Sequence, residues 1–341
     1  MRVGVNPHKD VAIAQSEYLH QVVVPVYIPN EEGYFKDGLK ILQLCLKSLF
    51  VTIHNKTYIT IVNNGSCKRV VDYLDNLYNE GKIQELIHTE NIGKVNAILK
   101  GLAGNNIELV TITDADVLFL DNWQFETTKI FRALPKVGVV GIVPQFNMFK
   151  RKCGNVLFDN FFNKKLKFIP IHSVEGLIRF YESIGWGRNY NRDYLEYGLG
   201  LDYKGGTVFI GSGHFVATYK KQMFQNMKSY LNYKLGGDSE GYLDILPLEY
   251  DYWRVTTYDN YAFHMGNVYE DWMSEFKHNT NFKNEIDFDF AQQKRANNFV
   301  GLLKNRLFTK FLFIDSVSKF FYRWKKIPKS MVNNYNTICP K

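Results

Sequence analysis

Cysteine is scarce and scattered in this 341-residue chain: Cys45, Cys67, Cys153 and Cys339 form no CxxC pair and no Cys/His ligand spacing. That pattern argues against a disulfide framework or a structural zinc and fits a reducing compartment. Long apolar runs are missing too. No stretch reaches the ~18 apolar residues that span a bilayer, and MRVGVNPHKDVAIAQ holds no continuous apolar stretch of a signal peptide. A cytoplasmic protein is expected. There is no internal repeat and no low-complexity segment. Acid is nearly absent from the last segment. From Val300 to Lys341 nine Lys or Arg stand against one acid, Asp315, a difference equal to the whole net charge of +8. A nucleic-acid enzyme spreads its cations along a groove. Here they are gathered at one end, so no nucleic-acid partner is expected.

What is present is an ordinary folded composition, 45% hydrophobic and 22% charged, with a high aromatic share of 16%. Apolar runs with strand character occur at Val22–Val26, Tyr58–Val62, Leu109–Ile112 and Val137–Val143, with ELIHTEN a further short candidate. Between them lie helical periods. GLKILQLCLKSLF repeats Leu39, Leu42, Leu46 and Leu49; KRVVDYLDNLYNEGK closes at Gly81; GKVNAILKGLAGNN enters at Gly93. Alternating strands and helices predict βαβ units, hence a mainly parallel sheet with right-handed crossovers. Ligands of such sheets bind beyond the carboxyl ends of the strands, where Asn63, Asn64 and Asp114 fall. Residues 149–204, rich in Gly, Tyr and Asn, read as loops. GTVFIGSGHFVATYKKQMF reads as a strand, a Gly-rich turn and a helix start.

Two carboxylates stand out. Asp114 and Asp116, in TITDADVLFL, sit between apolar runs. Desolvating a carboxylate is costly without a cation or donors. Either a strand-end turn or a divalent cation on oxygen ligands accounts for the pair.

In order, VVVPVYIPN, YITIVNNGS, ENIGKVNAILKGL, TITDADVLFL, FIGSGHFVATYKKQMF, LGGDSEGYL and YAFHMGN resemble the motifs of GT-A glycosyltransferases, most closely family 2, over roughly residues 20–270. The resemblance implies an α/β, GT-A type Rossmann-like mainly parallel sheet flanked by helices, followed by a C-terminal helical tail. The division it suggests is a nucleotide-sugar half at 1–148, an acceptor half at 149–280 and the tail at 281–341. It implies a donor site of Pro25, Tyr27, Asn63, Asn64, Lys94, Asp114, Gly211 and Gly213. Asn63 stands where many relatives have Asp, which leaves the base open.

By the same resemblance Asp116 ligates Mn²⁺ or Mg²⁺, Asp114 meets the ribose or the ion through water, and His264 completes the shell. An imidazole ligand favours Mn²⁺. Asp238 falls where the family keeps its general base. Gly237 replaces the Glu before it, and Glu240 and Asp244 are the fallbacks. His214 lines the acceptor site or packs. The implied activity is inverting, metal-dependent transfer of a hexosyl group from a nucleotide diphosphate sugar, expected to be a UDP-sugar, to a hydroxyl of a glycan or glycolipid in cell-surface polysaccharide synthesis. A retaining GT-A transferase and a non-catalytic glycan- or membrane-binding relative are the alternatives.

The tail lies outside the resemblance. Val300, Leu303, Leu307, Phe311, Ile314, Val317, Phe321 and Trp324 keep a helical stripe among Lys and Arg. A basic amphipathic helix of this kind lies in a membrane interface or docks on its own domain. Residues 299–329 are therefore the expected contact with an anionic membrane, peripheral on the inner face, near a lipid-linked acceptor. A chain ending near Asn297 is expected to stay folded.

Overall fold

The computed structural model describes residues 3–12, 16–187, 189–235, 241–278 and 294–337. The chain enters on β1 (His20–Val26), crosses α1 (Gly38–Thr52) to β2 (Thr57–Asn64), α2 (Lys68–Asn79) to β3 (Glu85–Thr89), and α3 (Lys94–Leu102) to β4 (Leu109–Thr113). These strands pair in parallel in the order β3-β2-β1-β4. β1 reads as an unbroken apolar run because both its faces are covered. Val22, Val24 and Val26 pack with Leu42 and Leu46 of α1, whereas Val23 packs with Ile98 and Leu102 of α3.

After β4 the chain makes a three-residue strand, β5 (Val117–Phe119), then α4 (Trp123–Ala133) and β6 (Val137–Gly141). The stretch expected to be loops holds α5 (Gly154–Asp159), β7 (Leu166–Pro170), α6 (Val174–Ser183) and β8 (Tyr197–Tyr203). Two of its glycines, on β8, serve close packing within the sheet. A Cβ on Gly200 would meet Ile169 at 2.3 Å, and one on Gly198 would meet Phe209 at 2.8 Å. β9 (Gly206–Ile210) and β10 (Val216–Lys220) follow. The expected helix start in VATYKKQMF is thus a strand, succeeded only by a 3-10 turn at Lys221–Phe224. β10 slots antiparallel between β4 and β6, where all five of its residues are buried.

Then come α7 (Gly241–Ile245), β11 (Trp253–Thr257), β12 (Ala262–His264) and α8 (Trp272–Glu275). Among the described residues the main sheet runs β3-β2-β1-β4-β10-β6-β11-β9-β8-β7, parallel in its first four strands and largely antiparallel beyond. A second, small sheet pairs β12 with β5 antiparallel, with His264 opposite Val117. This pairing brings the two ends of the site together.

The last segment forms α9 (Asn298–Leu302), a π-helical stretch at Leu303–Phe308, α10 (Thr309–Leu312) and α11 (Asp315–Trp324). Its inner side belongs to the core. Leu312, Phe321, Tyr322, Ile327, Val332 and Tyr335 share a buried cluster with Phe149 and Phe168. Lys304 is buried between Asp159 (2.8 Å) and Asp251 (2.6 Å), and the Lys325 carbonyl accepts from the Phe168 N–H at 2.7 Å. The segment is not the detachable element that its stripe suggests. Removing it after Asn297 would uncover that cluster. Among the described residues no helix is long and apolar enough to cross a membrane.

Candidate active site

The carboxyl ends of β1, β2 and β4 open on one cavity of about 440 Å³. Pro25 and Tyr27 come to it from the end of β1, Asn64 from β2, Lys94 from the start of α3, and Asp114 and Asp116 from the turn after β4. Gly266 and Asn267, just past β12, line the opposite side with Lys234 and Leu235. Two local features let these segments approach. Gly65 takes φ +90°, and a Cβ there would meet the Asn91 amide nitrogen at 2.9 Å. Gly93 takes φ +91°, and its Cβ would meet the Lys234 backbone at 2.7 Å.

Asp114 and Asp116 are in different electrostatic settings. The Lys94 ammonium holds Asp114, 2.7 Å from Oδ1 and 3.0 Å from Oδ2. Asp116 instead faces His264, whose Nε2 lies 3.5 Å from Oδ2. The other oxygen, Oδ1, is buried and has no hydrogen-bond partner among the described residues. Burial raises the Asp116 carboxyl above the ordinary carboxylate range; His264 and Lys94 oppose this, and Asp114 adds to it.

His264 is oriented from behind. Its Nδ1 is 2.9 Å from Ser183 Oγ, at the last residue of α6. That hydroxyl donates to the Phe180 carbonyl at 2.7 Å, so its lone pair is left to accept from Nδ1–H. With Nδ1–H given to Ser183, the Nε2 side of the ring is the one that faces Asp116 and would be free to ligate a cation there. Phe180 and Phe215 pack edge-on against the ring, at 6.1 and 5.4 Å between centroids.

An unpaired, enclosed carboxylate oxygen beside an imidazole lone pair is a donor set that suits a divalent cation such as Mn²⁺. Two protein ligands are assembled this way. Among the described residues no group of three His, Cys, Asp or Glu side chains converges on one point. Further ligands must come from a bound molecule, from water, or from Asp114 released by Lys94.

Other expected residues lie elsewhere. Asn63 does not line the cavity. Its side chain accepts from the Ser66 N–H (3.0 Å) and contacts His88 Nδ1 (2.9 Å), so it shapes the turn after β2. Gly211 and Gly213 also lie off the cavity, in the link from β9 to β10. Gly211 takes φ +95° against the Met148 backbone, and Gly213 abuts Gln145. Asp238 and Glu240 fall outside the described residues. The chain just before them, Lys234 and Leu235, forms the cavity wall. Asp244 sits 2.5 Å from the buried Arg254 guanidinium and 3.6 Å from His214 Nδ1.

Residues not singled out from the sequence complete the wall. Tyr34 and Phe35, just after β1, form an aromatic pair 5.1 Å apart, and Tyr27 meets Phe35 edge-on at 5.8 Å. Asn267 Nδ2 donates to the Tyr34 carbonyl at 3.1 Å, and the Tyr269 N–H donates to Asp37 Oδ2 at 3.0 Å. The chain after His264 is thereby tied across to the start of α1. An exposed aromatic in a turn, as in EEGYFKDG, was the available signal for Tyr34. Ser183 left none, because its partner is 81 residues away.

This sheet, with its site at the strand ends and an Asp-x-Asp turn facing a histidine on the later strand β12, is the GT-A fold. The chain belongs to glycosyl transferase family 2: the family's pattern matches residues 22–199, more than half of the chain. Among solved structures it is similar to the mannosyltransferase PcManGT from Pyrobaculum calidifontis in complex with GDP-Man and Mn²⁺, at 18% identity and a TM-score of 0.43, over 74% of this chain and 59% of that one. It is also similar to S. aureus TarS 1–349, at 14% identity and a TM-score of 0.41, over 72% of this chain and 60% of that one. The TarS 1–349 complex with UDP-GlcNAc gives 12% identity and a TM-score of 0.41, over 76% and 61%. The chain therefore spans about three fifths of the length of these structures. No curated protein matches it.

Proposed function

We propose that the protein is an inverting, metal-dependent glycosyltransferase. It moves a hexosyl group from a nucleotide diphosphate sugar to a hydroxyl of a glycan or glycolipid. The observation that carries this reading is the Asp116–His264 pair, with its enclosed, unpartnered oxygen, Asp116 lining a cavity of about 440 Å³ at the strand ends. A UDP-sugar is the donor to try first, on the family resemblance.

The chain's own residues have separable tasks. Tyr27, Tyr34 and Phe35 give the nucleoside an aromatic wall. Lys94 neutralises Asp114, and it is the cation on the cavity wall nearest that carboxylate. Asp116 and His264 hold Mn²⁺ or Mg²⁺, with Ser183 fixing the ring. When bound, the cation stabilises the charge that grows on the diphosphate leaving group. Inversion requires a carboxylate that takes the acceptor proton as the hydroxyl attacks the anomeric carbon from the face opposite the leaving group. We assign that role to Asp238, with Glu240 next. Asp244 fits it less well, since its carboxylate is already committed to Arg254.

A panel of nucleotide sugars, assayed for Mn²⁺-dependent hydrolysis and thermal stabilisation, tests the reading. One donor should stand out on both measures. The product's anomeric configuration by NMR separates inversion from the retaining alternative. Binding of glycan with no donor turnover under any condition would instead support a non-catalytic relative.

A further inference from the structure

Half of the last segment is packed and half is bare. Its inner side is buried with Phe149 and Phe168, while large apolar side chains on its outer side face solvent: Leu303, Leu307, Phe311 at 56% exposure and Phe320 at 66%. Leu303, Leu307 and Phe311 recur every four residues, on one side of the helix. The patch extends beyond this segment. Phe162, 83% exposed on the turn after α5, meets Trp324 at 5.9 Å between ring centroids. Monomeric proteins rarely leave so many large apolar groups together without an occupant.

The exposed charge around the patch is net positive. Lys164, two residues from Phe162, and Arg306, Lys310 and Arg323 of the tail are exposed. The acids nearby are engaged: Asp315 pairs with Lys319 at 2.7 Å, and Asp159 is held by Lys136 (2.6 Å) and Lys304 (2.8 Å). A second copy of the chain would bring like charges face to face. An anionic lipid surface offers both the opposite charge and an apolar layer.

We infer that this composite face, built from the tail and the Phe162 turn, seats the protein on the interface of an anionic bilayer. Among the described residues no helix is long and apolar enough to cross a membrane, and the proposed contact lies along the interface. Exposed aromatic and Leu side chains enter the interfacial layer while Lys and Arg meet the headgroups. The inference stands apart from glycosyl transfer, because lipid binding is measured without donor, metal or turnover.

The test is flotation of the full chain with vesicles of phosphatidylcholine alone and of phosphatidylcholine with phosphatidylglycerol. The chain should float with the anionic vesicles, and added salt should weaken this. Arg306→Gln with Lys310→Gln should lower partitioning on the order of tenfold or more. Phe311→Ser with Phe320→Ser should lower it comparably. All four side chains are exposed, so the melting temperature should hold in both variants, and donor hydrolysis without lipid should be unchanged. Three results would overturn the inference: no flotation with either vesicle, variants that partition like the parent, or a lipid-free dimer that the serine variant converts to monomer.

Discussion

Ser183 Oγ stands 2.9 Å behind His264 Nδ1, on the side of the ring away from Asp116. The two residues come from α6 and β12, and with the Ser183 hydroxyl donated to the Phe180 carbonyl the contact assigns the ring proton to Nδ1. A ring free to take the other tautomer would point N–H at the proposed cation site and lose its lone pair there.

Ser183→Ala should therefore weaken Mn²⁺ binding about 10-fold or more, within the range usual for loss of such a supporting contact. Ser183→Thr, which keeps the hydroxyl, should restore most of it. Titration followed by Mn²⁺ electron paramagnetic resonance reads this directly, without turnover. Equal affinity in all three proteins would assign Ser183 to packing alone.

Asp238 is proposed as the base. Asp238→Asn should leave donor binding intact and lower transfer on the order of 10²-fold. Single-turnover assays beside calorimetric donor titration separate the two effects. Near-normal transfer would move the role to Glu240 or favour a retaining mechanism.

Lys220 gives a pH signature unrelated to the site. It is buried, donates to the Pro135 carbonyl at 2.9 Å, and burial pulls its ammonium down to about 8. In the unfolded chain it titrates near 10.5. Between about pH 8 and 10.5 the unfolded state then holds a proton that the folded state has released, so this group's contribution to stability rises with pH across that window. Lys220→Met should flatten the rise by about 1 kcal/mol or more. Urea denaturation of both proteins at pH 7.5 and 9.5 measures it; parallel curves would place the ammonium in water.

The first half of the fold was legible because β1, β2 and β4 are covered on both faces, so their Val and Ile runs stand out. The far half was not. Gly198 and Gly200 look like loop residues, yet they are small so that Phe209 and Ile169 can pack across the sheet. β10 was misread because it is buried on both faces, so VATYK lacks the alternation of a half-buried strand. In the site, Asp114 and Asp116 were visible as carboxylates between apolar runs, whereas their different partners were not. Lys94 lies 20 residues from Asp114, and His264 reaches Asp116 through two three-residue strands too short to show a period. Only the family motif pointed to that histidine. The tail's stripe mixed two faces. Phe321 is buried in the core while Phe311 is exposed, and periodicity alone cannot tell them apart.

The central claim is that Asp116 and His264 hold a divalent cation without which the donor is not turned over. The direct measurement is donor hydrolysis by the parent and by Asp116→Ala, in EDTA and after Mn²⁺ is restored, with circular dichroism to confirm that the variant is folded. Activity of the parent should vanish in EDTA and return with Mn²⁺. The folded variant should stay at least about 10²-fold below the Mn²⁺-restored parent in both conditions, as expected when a group that stabilises the leaving charge is removed. Full activity of the parent in EDTA, or of Asp116→Ala with Mn²⁺, would contradict it.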